Sequence, residues 1–121
     1  MKVAITSTGP ELASRVDPRF GRAAWFILFD TDTDDSRPVD NSEGVEAGSG
    51  AGVSAAETVV REGAEYLLTG HCGPNAFRTL ETAGVKVIVG VDGTVGEAIE
   101  KLRSGELQAA GGPDVGPHSG V

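Results

Sequence analysis

Apolar residues fall along this chain in short runs separated by polar and glycine-rich breaks, and the period of each run assigns it to a strand or a helix. Val3-Ala4-Ile5 contains β-branched members and reads as a buried first strand. The run Ala24-Trp25-Phe26-Ile27-Leu28-Phe29 is more strongly apolar and predicts the second. After an acidic turn, Arg37-Pro38-Val39-Asp40-Asn41 predicts a weak third strand at a sheet edge, because proline has no N–H for a central ladder. Tyr66-Leu67-Leu68, within 65–69, and residues 85–89 predict two more. Elsewhere the period lengthens to that of a helix. Val53, Ala56, Val59 and Val60 share one face with Glu57, Arg61 and Glu62 outside, and Gly63 is a C-terminal stop. From Pro74 to about Ala83, the inward face is Ala76, Phe77, Leu80 and Ala83, and Gly84 ends the helix. Val95, Ala98, Ile99 and Leu102 repeat at i, i+3, i+4 and i+7. Thr94 and Glu97 stand at capping-box spacing before them, and Gly105 closes that helix.

The resulting order, β-β-β-α-β-α-β-α, predicts an α/β fold with a mixed, mostly five-stranded sheet and helices on both faces. Its second half is a βαβ unit, expected to be parallel and right-handed. Residues 1–108 read as one domain, and residues 109–121 as a flexible Gly/Pro tail that does not pack. Residues 42–52 read as a small-residue connection. Residues 7–23 form a long aperiodic loop, of a kind that is often functional.

Composition narrows the setting. No run approaches the length of a membrane span. The Met1–Thr6 stretch is too short, and too polar afterwards, for a signal peptide, so it reads as a strand. The chain has one cysteine, which excludes an internal disulfide and fits a reducing, cytoplasmic location. A net charge of -8 argues against nucleic acid as a partner. Acidic residues concentrate at 30–35, whereas Arg15, Arg19 and Arg22 lie together, a local cationic patch suited to a small anion.

In open α/β sheets ligands bind beyond the carboxyl ends of the parallel strands. That edge is expected to carry Ser7-Thr8-Gly9, His71-Cys72-Gly73 and Gly90-Val91-Asp92-Gly93, with the glycine-rich segment before the first helix arriving beside them, so that one pocket is lined by several segments. His71-Cys72 offers an imidazole and a soft thiol at a strand-to-helix turn, a candidate pair of metal-binding residues. A free cysteine is as a rule a small buried hydrophobe; here its place outside the apolar run favours function. His71 has two readings, a ligand or a hydrogen-bond partner of a carbonyl. Two adjacent residues fall short of a closed zinc site, and no CxxC accompanies them. Arg19 and Arg22, three apart with Phe and Gly between, can form a fork for an anion. Gly48-Ser49-Gly50-Ala51-Gly52 can nest an anion on successive N–H groups, but it lacks the Lys-Ser/Thr ending of a nucleotide-hydrolysing loop.

Taken together, Met1-Lys2-Val3-Ala4-Ile5, Arg19-Phe20-Gly21-Arg22-Ala23, Asn41 with the later glycine-rich stretch, Gly70 with Gly73-Pro74-Asn75-Ala76-Phe77, and Gly93-Thr94-Val95 resemble the dinitrogenase iron–molybdenum cofactor-binding family of NifX/NafY-like accessory proteins. The likeness follows the same order over about residues 1–108. It implies a ribonuclease-H-like sheet that binds or carries a metal–sulfur cluster of molybdenum with iron or copper. Stand-alone members in anaerobic bacteria include an orange-coloured type holding a molybdenum–copper sulfide cluster. The candidate site, taken from the residue chemistry together with the resemblance, comprises Arg19, Arg22, Ser49, Gly50, Gly52, His71, Cys72, Gly73 and Asn75, with His71 and Cys72, on their own chemistry, as the metal-binding candidates. The implied role is a cluster assembly or transfer accessory, not an enzyme, with a protein partner in delivery and no nucleic acid or membrane. The competing reading is a regulatory protein–protein interaction domain without a prosthetic group. A small enzyme acting through the arginine loop is disfavoured, because no general base stands near the motifs.

Overall fold

The computed structural model describes residues 1–46 and 50–110. Ser49 therefore lies outside the described residues, as does most of the expected tail, including its histidine, His118. The elements are β1 (Lys2–Ser7), β2 (Trp25–Asp30), β3 (Ser36–Asp40), α1 (Ser42–Glu46), α2 (Ala51–Arg61), β4 (Tyr66–Leu68), α3 (Pro74–Thr82), β5 (Lys86–Ile88) and α4 (Val95–Arg103). They build a five-stranded sheet in the order β3-β2-β1-β4-β5. The β1–β2 and β2–β3 pairs are antiparallel, and β1–β4 and β4–β5 are parallel. This is the mixed α/β sheet expected from the pattern. No helix among the described residues is long and apolar enough to cross a membrane.

The central strands carry consecutive apolar residues, Val3-Ala4-Ile5, Phe26-Ile27-Leu28-Phe29 and Leu67-Leu68, because both faces of the sheet are covered. Ala4, Phe26, Leu28, Leu67 and Val87 point to one face, against Ala55, Ala56 and Val59 of α2 and Ala76, Phe77 and Leu80 of α3. Val3, Ile5, Ile27, Phe29, Leu68 and Ile88 point to the other, against Val95, Ala98 and Ile99 of α4. The period of two thus distributes one continuous run between two cores.

Three details depart from the pattern. The short helix α1 forms inside the stretch read as a connection, where five residues are too few for a periodic signal. Helix α2 begins at Ala51 and its buried stripe is Ala51, Ala55, Ala56, Thr58 and Val59; of the expected face, Val53 is half-buried and Val60 exposed. Ala83 is not inward; it is the exposed C-cap of α3.

Both flanks of the sheet are closed by ordinary chemistry. In the β2–β3 ladder Asn41 N–H donates to Ala24 C=O, and Asp30 N–H to Asp35 C=O. With that alternation Pro38, opposite Ile27, turns its nitrogen outward, where no ladder bond is lost and none is offered. At the far side Lys86 N–H donates to Glu65 C=O, so the Val87 carbonyl faces away from β4, and Ala110 N–H takes it at 2.7 Å. The chain therefore stays on the sheet through Ala110, which packs against the core.

The capping box of α4 is complete: Glu97 N–H donates to Thr94 Oγ1 at 3.1 Å, and Thr94 N–H to Glu97 Oε1 at 2.9 Å. The Thr94 N–H holds the Glu97 carboxyl below its ordinary pKa. A lowered folded-state pKa contributes stability that is complete above the ordinary value and is lost as pH falls through the folded one. Thr94→Ala, which removes the hydroxyl but keeps the N–H, is expected to cost about 1 kcal/mol in urea denaturation at neutral pH, whereas Glu97→Gln, which removes the titrating carboxyl, is expected to shrink the loss of stability on acidification. An acid limb identical to the parent's would show that the box is not the source.

Candidate functional site

The carboxyl ends of β1 and β4 are sealed by a buried polar knot. Thr6 Oγ1 lies 2.8 Å from the Asp17 carbonyl and 3.0 Å from Thr69 Oγ1, and Asp17 N–H donates to Thr6 C=O at 3.0 Å. The first part of the long loop doubles back over this end. Val16 N–H donates to Gly93 C=O at 2.8 Å, and the first N–H groups of α4 are met by Ser14 C=O (from Val95, 2.9 Å) and Leu12 C=O (from Gly96, 2.9 Å). Of the segments expected at this edge, Thr8 and Gly93 are bonded to the loop through Arg15 and Val16, and Gly90 and Val91 donate to Gly70 and Thr69. The free part of the edge lies over α2 and α3.

There the second part of the loop runs as a fastened strip. Asp17 Oδ1 accepts the Arg19 N–H at 3.0 Å, an Asx turn that fixes where the strip starts. Pro18 lies so close to Gly70 that a Cβ there would come within 2.7 Å of the Pro18 Cα and carbonyl oxygen. Arg19 then sits beside His71 in a parallel bridge, and Phe20 N–H donates to His71 C=O at 3.2 Å. The Phe20 ring is wholly buried, tilted against Phe26 with centroids 5.7 Å apart. Gly21 touches the start of α2, where a Cβ would come within 2.8 Å of Gly52 N. Ala23 N–H closes the turn on Phe20 C=O at 3.4 Å, with Arg22 half-buried within it. Finally, Asn41 Nδ2 donates to Ala23 C=O at 2.8 Å.

The strip thereby joins two helix N-termini. The N-cap of α2 is Gly50 and that of α3 is Gly73, and neither makes a side-chain cap hydrogen bond. Helix α4, packed on the opposite face, carries the full box. Among the described residues, a Cβ on Gly50 would meet nothing within 4 Å. The leading N–H groups of a helix and its dipole both favour negative charge. Pro74 occupies the first turn of α3, where its missing N–H costs nothing.

Of the residues singled out in the sequence, Arg19, Arg22, Gly50, Gly52, His71, Gly73 and Asn75 fall in these adjoining segments. Arg19, His71 and Asn75 are exposed. Cys72 is wholly buried among core residues, with Sγ 3.7 Å from the Gly73 carbonyl. His71 and Cys72 thus face different surroundings, one solvent and the other the core. Among the described residues no three His, Cys, Asp or Glu side chains gather as a metal-coordinating group. The groups these segments carry, guanidinium, imidazole and backbone N–H, are ones that suit an anion.

Sequence reasoning missed the fastening. Asp17, Gly21 and Gly70 act through contacts that only the folded chain creates. Asn41 follows a weak edge strand and gave no sign that its side chain reaches back to Ala23.

Comparisons with known proteins agree over nearly the whole chain. The family model described as dinitrogenase iron-molybdenum cofactor matches residues 1–105. No curated protein matches the chain. Among solved structures, the apo form of the orange protein from Desulfovibrio gigas is 42% identical, covers 94% of this chain and 96% of its own, and superposes with a TM-score of 0.92. A Thermotoga protein of the DUF35 family, solved by NMR, is 41% identical over 89% of this chain and 91% of its own, with a TM-score of 0.78.

Proposed function

The chain belongs to the dinitrogenase iron-molybdenum cofactor family, and from that premise we propose that it binds and carries an anionic metal–sulfur cluster of molybdenum with iron or copper, as an accessory that passes the cluster to a protein partner. The observation that carries this reading is the fastening of Arg19–Arg22 between the His71 turn and the start of α2, through Phe20 N–H on His71 C=O and the contact of Gly21 with Gly52. It brings the backbone that bears Arg19 and Arg22 beside two helix entrances started by glycine. A thiometallate anion presents sulfide acceptors on all sides. It suits a cradle of donors that attracts its charge without supplying a coordination sphere.

In this reading Arg19, Arg22 and the N–H groups around Gly50, Gly52, Gly73 and Asn75 hold the cargo. His71 stands at the rim and Cys72 lies beneath the turn. The test is a titration with tetrathiomolybdate, with and without Cu(I), followed by gel filtration. Visible charge-transfer absorption is expected to travel with the protein at low salt and to weaken as salt rises, because exposed guanidinium groups are screened. Colour that elutes entirely apart from the protein at low salt refutes the reading.

Cys72→Ser separates ligation from packing. The position of the absorption band is expected to stay unchanged while the melting temperature falls, because a hydroxyl replaces a thiol inside the core. A displaced band would instead assign a cargo metal to the Cys72 sulfur.

A further inference from the structure

Asn41 is 2% exposed and makes an unusual choice. It directly precedes α1, the position from which an Asn side-chain oxygen ordinarily accepts an N–H of the first helical turn. Instead, its amide points back: Nδ2 donates to Ala23 C=O at 2.8 Å. Its backbone N–H donates to Ala24 C=O at 3.0 Å, and its carbonyl accepts from Val45 N–H at 3.0 Å. Among the described residues, Asn41 Oδ1 is the buried side-chain oxygen left with no hydrogen-bond partner. Gly44 is part of the same arrangement. A Cβ there would come within 2.4 Å of Asn41 Oδ1, so the amide fits inward only because residue 44 has none.

Two unfavourable features therefore coincide, a buried carbonyl without a donor and a glycine inside a helix. Both serve one contact, the hydrogen bond to Ala23. A serine at this position would cap α1 and leave no buried amide oxygen. Local conflicts of this kind gather where geometry is held for function. Ala23 directly follows Arg22, at the end of the strip opposite to the Asp17 tether. We propose that Asn41 is a positioning residue for anion binding: it fixes the Ala23 carbonyl and thereby sets where the Arg22 guanidinium stands, at the expense of capping its own helix. This rests on the anion-binding reading above.

The test is a double-mutant cycle with tetrathiomolybdate as the probe, measured on the full chain at a temperature where circular dichroism shows each variant folded. Asn41→Ser is expected to bind about 10-fold more weakly, although it can cap α1. Gly44→Ala, which displaces the amide from outside, is expected to reproduce that loss. In the Arg22→Ala background, Asn41→Ser should cost almost nothing further, since both changes remove the same interaction. A purely structural role would instead lower the melting temperature and leave affinity intact, which overturns the proposal. Additive losses in the double variant also overturn it, because Asn41 would then act through something other than Arg22. If Arg22→Ala alone binds as the parent does, the anion-binding reading itself fails at this residue and the positioning role falls with it.

Discussion

The double variant Arg19→Ala,Arg22→Ala is expected to bind tetrathiomolybdate about a hundredfold more weakly than the parent, with its fold intact. A hydrogen bond from a charged donor contributes roughly 1.5 to 3 kcal/mol. The lower figure applies here because Arg19 is exposed and water screens it. Two such contacts make about 3 kcal/mol, or roughly two decades in the dissociation constant. The fold should survive because the strip is anchored by backbone hydrogen bonds and by the buried Phe20 ring, none of which uses a guanidinium. The residual binding should depend less on salt than the parent's, since fewer fixed cations remain. Equal affinity in parent and variant would move the site away from this strip altogether.

Gly70→Ala is expected to harm stability and binding together. The added methyl would lie 2.7 Å from both the Pro18 Cα and its carbonyl oxygen. Backbone cannot swing aside as a side-chain end can, so either the strip lifts from the His71 turn or β4 shifts beneath it. Forcing a methyl into packed structure costs about 2 kcal/mol, which for a domain of this size lowers the melting midpoint by about 10 °C. The same displacement breaks the Phe20 N–H to His71 C=O bond and moves both arginines, so affinity should fall as well. Gly96→Ala is the control. Its methyl would sit 3.5 Å from Leu12 C=O, an ordinary contact, and alanine replaces glycine within α4. That change is expected to raise stability by up to about 1 kcal/mol and to leave binding alone. If Gly70→Ala melts like the parent, the strip is not locked to the turn.

The strands were legible in the sequence because their runs are either uniformly apolar or interrupted by a proline, and each condition has one structural solution here. Val3-Ala4-Ile5 and the 24–29 run needed cover on both faces, and they receive it. The α4 boundaries were legible because Thr94 and Glu97 bond to one another's backbone within one turn. Gly63, Gly84 and Gly105 marked helix ends because each takes a positive φ after its helix. Long-range contacts left no such trace. The doubling back of residues 12–16 onto α4 depends on main-chain carbonyls, which every sequence possesses. Val60 was assigned to the wrong face because the buried stripe centres on Ala51, Ala55 and Val59, and Val60, about 100° round the helix from Val59, falls at its border. For the site, Arg-Phe-Gly-Arg and His-Cys-Gly stood out singly as chemistry-bearing residues. What laid one against the other was the absence of side chains at Gly21 and Gly70, a property visible only once the neighbouring segments are known.

The closed flanks of the sheet limit how this domain can meet other molecules. A strand donated by a foreign chain would find a proline along one border and the outward carbonyl of β5 already taken along the other. Recruitment by shared β-structure is thus discouraged on either side. Under the proposed carrier role, a recipient would have to engage helices and turns, and the arginine-bearing turn sits among those surfaces. Cargo and recipient would then compete for neighbouring ground, so that docking and release become parts of one event.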